Sequence, residues 1–304
     1  MGHHHHNHTH GTPANNRQQR IYLFAIVLNL LFVFTEAGIG FVGHSLGLLA
    51  DAGHNLGDVF SLLLALIAVK LATTHGTKRF TYGYRKSSVL IALLNAIILL
   101  VAVGGIITES IGRIGEISSG ISNAADGEMI SWTAGIGILI NGLTAWMLSK
   151  GQRDINSRGA YLHMLADTLV SVGVVVSGLI IIYTGWTLID PIISLVIAAI
   201  ILVSTWDLLK ESIRMSIDAV PEGMNPDEVT SLISSVEGVK DVHHLHIWAI
   251  STSETALTAH VLIADKSTME TTIEAIKHML SAHGISHSTL EVETDLSHCH
   301  HHEC

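Results

Sequence analysis

The sequence SSVLIALLNAIILLVAVGGIIT, residues 87–108, contains no charged side chain. A helix of about 20 apolar residues is long enough to cross the hydrocarbon core of a lipid bilayer. Five other stretches have the same apolar character, so the chain is predicted to be an α-helical membrane protein with six transmembrane helices embedded in the lipid bilayer. These spans are residues 21–42, 46–72, 87–108, 129–149, 159–189 and 190–209.

The charge composition agrees with a membrane protein and excludes two other classes. Charged residues make up 14% of the 304 residues, against about 25% in soluble domains, so an average soluble enzyme is excluded. Residues 217–304 carry 3 Lys and Arg, 14 Asp and Glu, and 11 of the 21 His. An acidic, His-rich region is a poor partner for nucleic acid, which requires positive charge, and it suits divalent cations that prefer imidazole.

The basic residues predict the orientation of the spans. Lys and Arg cluster within residues 17–20, 78–86, 150–158 and 210–214, and the connections on the other side hold almost none. Basic loops stay in the cytoplasm. Both termini are therefore expected to be cytoplasmic.

The residues after the last span predict a small soluble domain. Helices are expected from Asn225 and over 267–283, and strands over 241–251, 255–264 and 288–294. This αββαβ order indicates an α+β fold of the ferredoxin-like, metallochaperone-like kind. The expected organisation is a His-rich cytoplasmic tail (1–20), a membrane domain (21–216), a metal-binding α+β domain (217–297) and a His/Cys-rich tail (298–304).

Two His-x-x-x-Asp motifs lie inside predicted spans, His54 with Asp58 in the second and His163 with Asp167 in the fifth. Ionisable residues are costly in a bilayer and mark a functional site by default. Residues i and i+4 share one helix face, so two facing motifs present two imidazoles and two carboxylates, a tetrahedral donor set suited to Zn²⁺. The alternative is that each motif is a local hydrogen-bonded contact in a polar seam.

Three stretches of the sequence carry a resemblance to a known family. They are His44-Ser-Leu-Gly-Leu-Leu-Ala-Asp51-Ala-Gly-His54-Asn-Leu-Gly-Asp58, Thr81-Tyr-Gly-Tyr-Arg85 and His244-Leu-His-Ile-Trp248. With the two His-x-x-x-Asp motifs, these stretches resemble the cation diffusion facilitators, and among these the zinc-transporting branch of bacterial zinc/cobalt/cadmium efflux proteins and animal zinc transporters. The resemblance covers about residues 20–295.

The resemblance implies a homodimeric antiporter, not an enzyme, that exports Zn²⁺ from the cytosol in exchange for protons. Its transport site is expected at His54, Asp58, His163 and Asp167, with Co²⁺ and Cd²⁺ as alternative substrates. Exchange agrees with the ligand chemistry, because metal binding requires deprotonated ligands. No His lies within residues 150–158, where animal relatives often carry a His-rich loop, so the bacterial inner (plasma) membrane is the expected location.

The resemblance also implies a zinc site in the cytoplasmic domain. The matching positions are His243, His260 and one of Glu291 or Glu293, with His287 nearby. Strand alternation places His243 on the opposite face from His244 and His246, so these three cannot serve one site. The alternative is that these side chains are ordinary polar residues of a strand. The resemblance further implies an ion pair between Lys86 and Asp218 where the two domains meet.

Both ends of the chain are rich in metal-binding side chains. The run HHHHNHTH, residues 3–10, is either native or an expression tag. The tail HCHHHEC contains both cysteines, Cys299 and Cys304, and suits Zn²⁺ or Cu⁺. It either captures metal for delivery or has incidental affinity.

Two other function classes compete with transport. A membrane metal sensor would use the His-rich domain but does not need ligand pairs at bilayer depth. An intramembrane zinc hydrolase needs an open coordination position and a general base, and the sequence has no His-Glu-x-x-His motif.

Overall fold

Six long helices form the first part of the protein. The structure is a computed structural model that describes residues 13–42, 46–72, 74–119, 127–151 and 154–294. The helices begin and end as follows: α1 Pro13–Val42, α2 Leu46–Ala72, α3 Lys86–Ser118, α4 Gly127–Leu148, α5 Ile155–Thr184 and α6 Ile189–Ser216.

The outer surface of these helices is apolar. Among the described residues, five helices are long and apolar enough to cross a membrane, and in α4 a shorter stretch, Gly135–Leu148, is apolar. Large side chains such as Phe34, Val101 and Ile182 are 69%, 70% and 77% exposed. Soluble proteins rarely expose apolar surface on this scale. The prediction of a six-helix membrane domain is confirmed.

The membrane helices pack mainly in pairs. α1 packs mainly against α2, α4 against α5, and α3 against α6, while α2 also contacts α5. In α5, Gly173 permits close packing on α6, since an added Cβ would lie 2.7 Å from Ile197 Cδ1. The contact between α2 and α5 brings the two His-x-x-x-Asp helices together.

A small α+β domain follows the membrane helices. It contains α7 (Pro226–Ser234), β1 (Val239–Ala249), β2 (Thr255–Ile263), α8 (Met269–Ala282) and β3 (Ile285–Glu293). β2 lies in the middle of the sheet, antiparallel to β1 and parallel to β3. The αββαβ order is confirmed, although β3 begins three residues earlier than the sequence indicated.

Two residues of the sequence explain where α7 starts. Asn225 Oδ1 accepts a hydrogen bond from the Asp227 amide at 3.0 Å, and Pro226 occupies the first helical position. The Asn225 side chain satisfies one of the amides that have no partner at a helix start. Proline at the first position has no amide N–H that needs a partner. The core of the domain is formed by apolar side chains of α7, α8 and the sheet, among them Ile233, Leu257 and Ile276.

Candidate metal centres

The membrane domain brings three of the four predicted transport ligands together. Asp58 lies on α2, and His163 and Asp167 lie on α5. His163 Nε2 lies 2.7 Å from Asp58 Oδ1 and 3.9 Å from Asp167 Oδ2. One ligand atom from each of the three residues falls within 4.8 Å of the others. This spacing is compatible with a single metal ion held between the two helices.

The three side chains are withdrawn from the surface. Asp58 is 1% and His163 is 6% exposed, and Asp167 is partly buried. Charge burial at this depth is expensive unless an ion or a proton compensates for it. The arrangement is therefore chemically suited to an ionic occupant of positive charge.

The fourth predicted ligand, His54, lies on α2 one turn before Asp58. Its side chain lies outside the part of the structure that is described, so its participation remains a prediction. The helical spacing of four residues places the two positions on one face of α2.

A polar contact beside His54 was missed in the sequence. Asn55 Nδ2 donates a hydrogen bond of 2.7 Å to Glu36 Oε2, and both residues are buried. This bond connects α1 to α2 next to the candidate ligand. The sequence signal for this contact is the side-chain amide of Asn55 in an apolar span, because a buried side-chain amide requires a hydrogen-bond partner.

The local start of α5 fixes the position of His163. The Asp154 carboxylate accepts a hydrogen bond of 3.0 Å from the Ser157 amide and caps the helix. Burial raises the pKa of the Asp154 carboxyl, and hydrogen bonds from Thr252 and Ser157 oppose that shift. The cap lies nine residues before His163 on the same helix, so it fixes the start of the helix that carries the ligand.

A second cluster lies on the sheet of the C-terminal domain. His260 Nδ1 lies 2.7 Å from Glu293 Oε1, and His243 Nε2 lies 3.4 Å from Glu293 Oε2. These three residues also offer ligand atoms within 4.8 Å of one another. The strand register contributes to the meeting, since His243 pairs with His260 across β1 and β2. Glu293 pairs with Leu262, two residues from His260, and so lies on the same face of the sheet.

The other predicted members of this cluster are placed differently. Glu291 Oε2 lies 3.4 Å from His260 Nε2, so both glutamates reach the same imidazole. The ring of His287 lies edge-on to Tyr82 at 5.4 Å. Among the described residues, His287 is not grouped with the three clustered ligands. Cys299 and Cys304 lie outside the described residues.

His244 departs from the strand alternation expected from the sequence. It has a positive φ of 50°, at an irregularity in the pairing of β1 with β2 between His243 and His246. Its ring centroid lies 5.3 Å from that of His243 and 4.9 Å from that of His260. A bulge interrupts the two-residue period of a strand, so His243 and His244 meet on one side.

The C-terminal domain is attached to the membrane helices by a charged contact. Lys86 Nζ donates hydrogen bonds to Asp218 Oδ1 at 2.5 Å, to the Met215 carbonyl at 2.7 Å and to the Ala249 carbonyl at 3.1 Å. Arg85 forms an ion pair with Glu254. The ion pair between Lys86 and Asp218 is the one implied by the family resemblance.

A buried polar contact lies beside these ion pairs. Thr252, in the β1–β2 turn, donates its amide to Ser88 Oγ at 3.2 Å. Asn156 Nδ2 donates to the Ser88 carbonyl at 3.1 Å. The turn between the two His-bearing strands therefore rests on the first turns of α3 and α5.

Family models match nearly the whole chain. A model described as the cation efflux transmembrane domain matches residues 22–215. A second model, described as the cytoplasmic domain of cation efflux proteins, matches residues 221–295. The two matches follow the same order as the membrane helices and the α+β domain.

Curated relatives align with more than 90% of this chain. The "Cadmium, cobalt and zinc/H(+)-K(+) antiporter" of Bacillus subtilis (strain 168) is 34% identical over 294 residues, which cover 95% of this chain and 92% of the relative. The zinc transporter ZitB of Escherichia coli (strain K12) is 35% identical over 306 residues, covering 98% and 95%. The zinc transporter ttm-1 of Caenorhabditis elegans is 30% identical over 299 residues, covering 91% and 72%. The chain therefore belongs to the cation efflux family, the cation diffusion facilitators, and is a membrane transporter of the zinc branch.

Proposed function

We propose that the protein exports Zn²⁺ from the cytosol in exchange for protons, through a transport site formed by His54, Asp58, His163 and Asp167. The observation that carries this proposal is the convergence of Asp58, His163 and Asp167 between two helices that are long and apolar enough to cross a membrane. The names of the relatives, zinc transporter and cadmium, cobalt and zinc/H(+)-K(+) antiporter, agree with it.

Proton exchange follows from the chemistry of these side chains. Zn²⁺ binds neutral imidazole and ionised carboxylate, so a metal ion and protons compete for the same atoms. His163 Nε2 and Asp58 Oδ1 lie within hydrogen-bond distance of each other. We propose that a proton shared by this pair compensates for the buried charge after the ion leaves, and that the next ion displaces it. Histidine titrates near neutral pH and suits this role.

Two carboxylates and two imidazoles favour Zn²⁺, and Co²⁺ and Cd²⁺ accept the same ligand types. The carboxylates balance the double charge of the ion, which lowers the cost of holding it in the membrane. Alternating access is proposed to arise from movement of helices around this site.

The cluster in the C-terminal domain is proposed to bind Zn²⁺ through His243, His260 and Glu293, with His244 as an additional ligand. Its support is the set of distances among these side chains. The domain is further proposed to mediate homodimer formation, in agreement with the family model matched by residues 221–295.

The proposed location is a bacterial inner (plasma) membrane with both termini in the cytoplasm. Basic residues from three of the basic stretches, Lys86, Arg158 and Arg214, adjoin the membrane face that carries the C-terminal domain. Lys86, for example, contacts Asp218 and the Ala249 carbonyl. Positive charge on one face favours the cytoplasmic side.

The test is zinc transport by the full-length protein in sealed proteoliposomes that contain a zinc-sensitive dye and a separate pH-sensitive dye. The expected result is zinc entry that depends on an acidic interior and is accompanied by proton exit. Zinc entry with no proton movement would contradict antiport. The absence of zinc movement from correctly folded, reconstituted protein would contradict transport.

A further inference from the structure

A cavity of about 610 Å³ opens where α6 ends and the linker to the C-terminal domain begins. It lies apart from both metal clusters and contains none of their ligands. Its charged lining comes from α5, from the end of α6 and from the linker. The charged residues are Arg158, Asp207, Lys210, Glu211, Arg214 and Glu222.

The lining contains three cations and three carboxylates, but they are not all paired. Arg158 forms an ion pair with Glu211 at 3.1 Å, and Lys210 forms one with Asp207 at 3.5 Å. Within the described part of the chain, the side chains of Arg214 and Glu222 make no hydrogen bond or ion pair. Both are exposed and lie close enough to Glu211 to act on it electrostatically. The cavity thus offers one unmatched cation and one unmatched carboxylate.

The surroundings place this cavity at the level of lipid headgroups. Trp206, one turn before Lys210 on α6, is half exposed, and Lys210 Nζ lies 5.9 Å from the centroid of its ring. Tryptophan and basic side chains concentrate at the membrane–water interface. Ile213, which also lines the cavity, is 43% exposed, so the lining presents an exposed apolar side chain beside the charged residues.

We propose that this cavity binds the zwitterionic phosphoethanolamine headgroup of a membrane lipid. The lipid phosphate pairs with the Arg214 guanidinium, since a guanidinium binds phosphate through several N–H groups. The lipid ammonium donates hydrogen bonds to the Glu222 carboxylate. Cavities of about 300–1,000 Å³ hold small ligands, so the volume is adequate.

The pair of unmatched charges distinguishes this headgroup from other lipids. A purely anionic headgroup matches Arg214 and leaves Glu222 facing a negative charge. A phosphocholine headgroup carries a positive charge but has no N–H to donate to Glu222. Because the lining joins α5, α6 and the linker, a bound headgroup ties the end of α6 to both neighbours and stabilises the folded protein by linkage.

The test measures melting temperature and lipid retention of the full-length protein in detergent after addition of phosphatidylethanolamine, phosphatidylcholine or phosphatidylglycerol with identical acyl chains. At about ten times its dissociation constant, a specifically bound lipid raises the melting temperature by about 3 °C. We expect this rise with phosphatidylethanolamine and a clearly smaller one with the other two. Retention is measured as the fraction of protein with bound lipid in native mass spectrometry.

Variants separate the two contacts. Arg214→Gln and Glu222→Gln should each abolish the preference for phosphatidylethanolamine, and Glu222→Gln should reduce discrimination against phosphatidylglycerol. The matched control is Arg113→Gln, because Arg113 lies near the other end of the membrane helices, is exposed and is paired with Glu109. This control should respond to lipid as the unmodified protein does.

Three results would overturn the proposal. One is an equal response to all three lipids. Another is a larger response to phosphatidylglycerol, which would indicate a basic site for anionic lipid. The third is a change of oligomeric state in Arg214→Gln or Glu222→Gln with lipid preference unchanged, which would assign the cavity to contact with a second copy of the chain. None of these readouts requires zinc transport, so the result does not depend on the proposed transport site.

Discussion

The substitution Asp58→Asn removes one negative charge from the candidate transport site and preserves the shape of the side chain. Asp58 is 1% exposed, and its Oδ1 lies 2.7 Å from His163 Nε2. Unit charges about 4 Å apart attract by about 4 kcal/mol at an effective dielectric constant of about 20. Zn²⁺ carries two charges, and desolvation of the ligands offsets part of the added attraction. We therefore expect the zinc-binding free energy of the variant to be about 4 kcal/mol weaker. This raises the zinc dissociation constant about a thousandfold.

The assay for Asp58→Asn is isothermal titration of purified full-length protein with zinc. The reference protein and the variant both carry His243→Ala and His260→Ala, so that heat from the C-terminal cluster does not mask the membrane site. The matched control is Asp227→Asn, because Asp227 is exposed at the start of α7 in the other domain. The zinc affinity of this control should equal that of the reference protein. A loss smaller than about tenfold in Asp58→Asn, with an unchanged melting temperature, would refute the assignment of Asp58 as a ligand.

Three further substitutions test the C-terminal cluster and the contact between the domains. His244→Ala should weaken zinc binding at the second cluster in a titration, because its ring lies 4.9 Å from that of His260; an unchanged affinity would exclude it as a ligand. Asp154→Asn should raise the melting temperature at neutral pH, because burial raises the pKa of Asp154 and makes its charged form costly, while Asn retains the cap. The gain should be complete above the raised pKa and shrink as the pH falls from there toward the ordinary value of 3.8; a gain that grows at low pH would contradict this cause. Asn156→Ala should cost about 0.5–1.5 kcal/mol in unfolding free energy, since it removes a buried hydrogen bond between α5 and the Ser88 carbonyl; unaltered denaturant unfolding would contradict the role of that bond.

The membrane helices could be predicted because the runs of apolar residues that produce them are local features of the sequence. Uncharged stretches such as residues 87–108 have few alternatives to crossing a bilayer. The exact length of α3 could not be predicted in this way, since the helix continues to Ser118 beyond the apolar stretch. Glu109 and Arg113 form an ion pair at 2.8 Å with helical spacing, which supports the helix where hydropathy no longer indicates one.

The membrane site was accessible to sequence reasoning because helical spacing fixes which side chains share a face. His163 and Asp167 could be paired from their positions alone. That Asp58 faces them depends on the packing of α2 against α5, a tertiary contact that the motif suggests but does not determine. The bond between Asn55 and Glu36 depends on α1 and α2 in the same way.

The C-terminal cluster was less predictable because one residue breaks the regular strand. Alternation separates His243 from His244, whereas the positive φ of His244 brings their rings to 5.3 Å. Histidine adopts positive φ more often than most residues other than glycine, but this preference is too weak to locate a bulge among three histidines. The register of β3, which sets the places of Glu291 and Glu293, likewise depends on its parallel pairing with β2.

The most direct test of the central claim is zinc uptake into proteoliposomes with an imposed pH gradient, comparing the unmodified protein with Asp58→Ala and Asp167→Ala. Asp227→Ala serves as the control for loss of an exposed carboxylate. We predict gradient-dependent zinc flux in the unmodified protein and the control, and its loss in both site variants. Flux that survives both substitutions would show that the two His-x-x-x-Asp motifs are structural and that zinc crosses the membrane by another route.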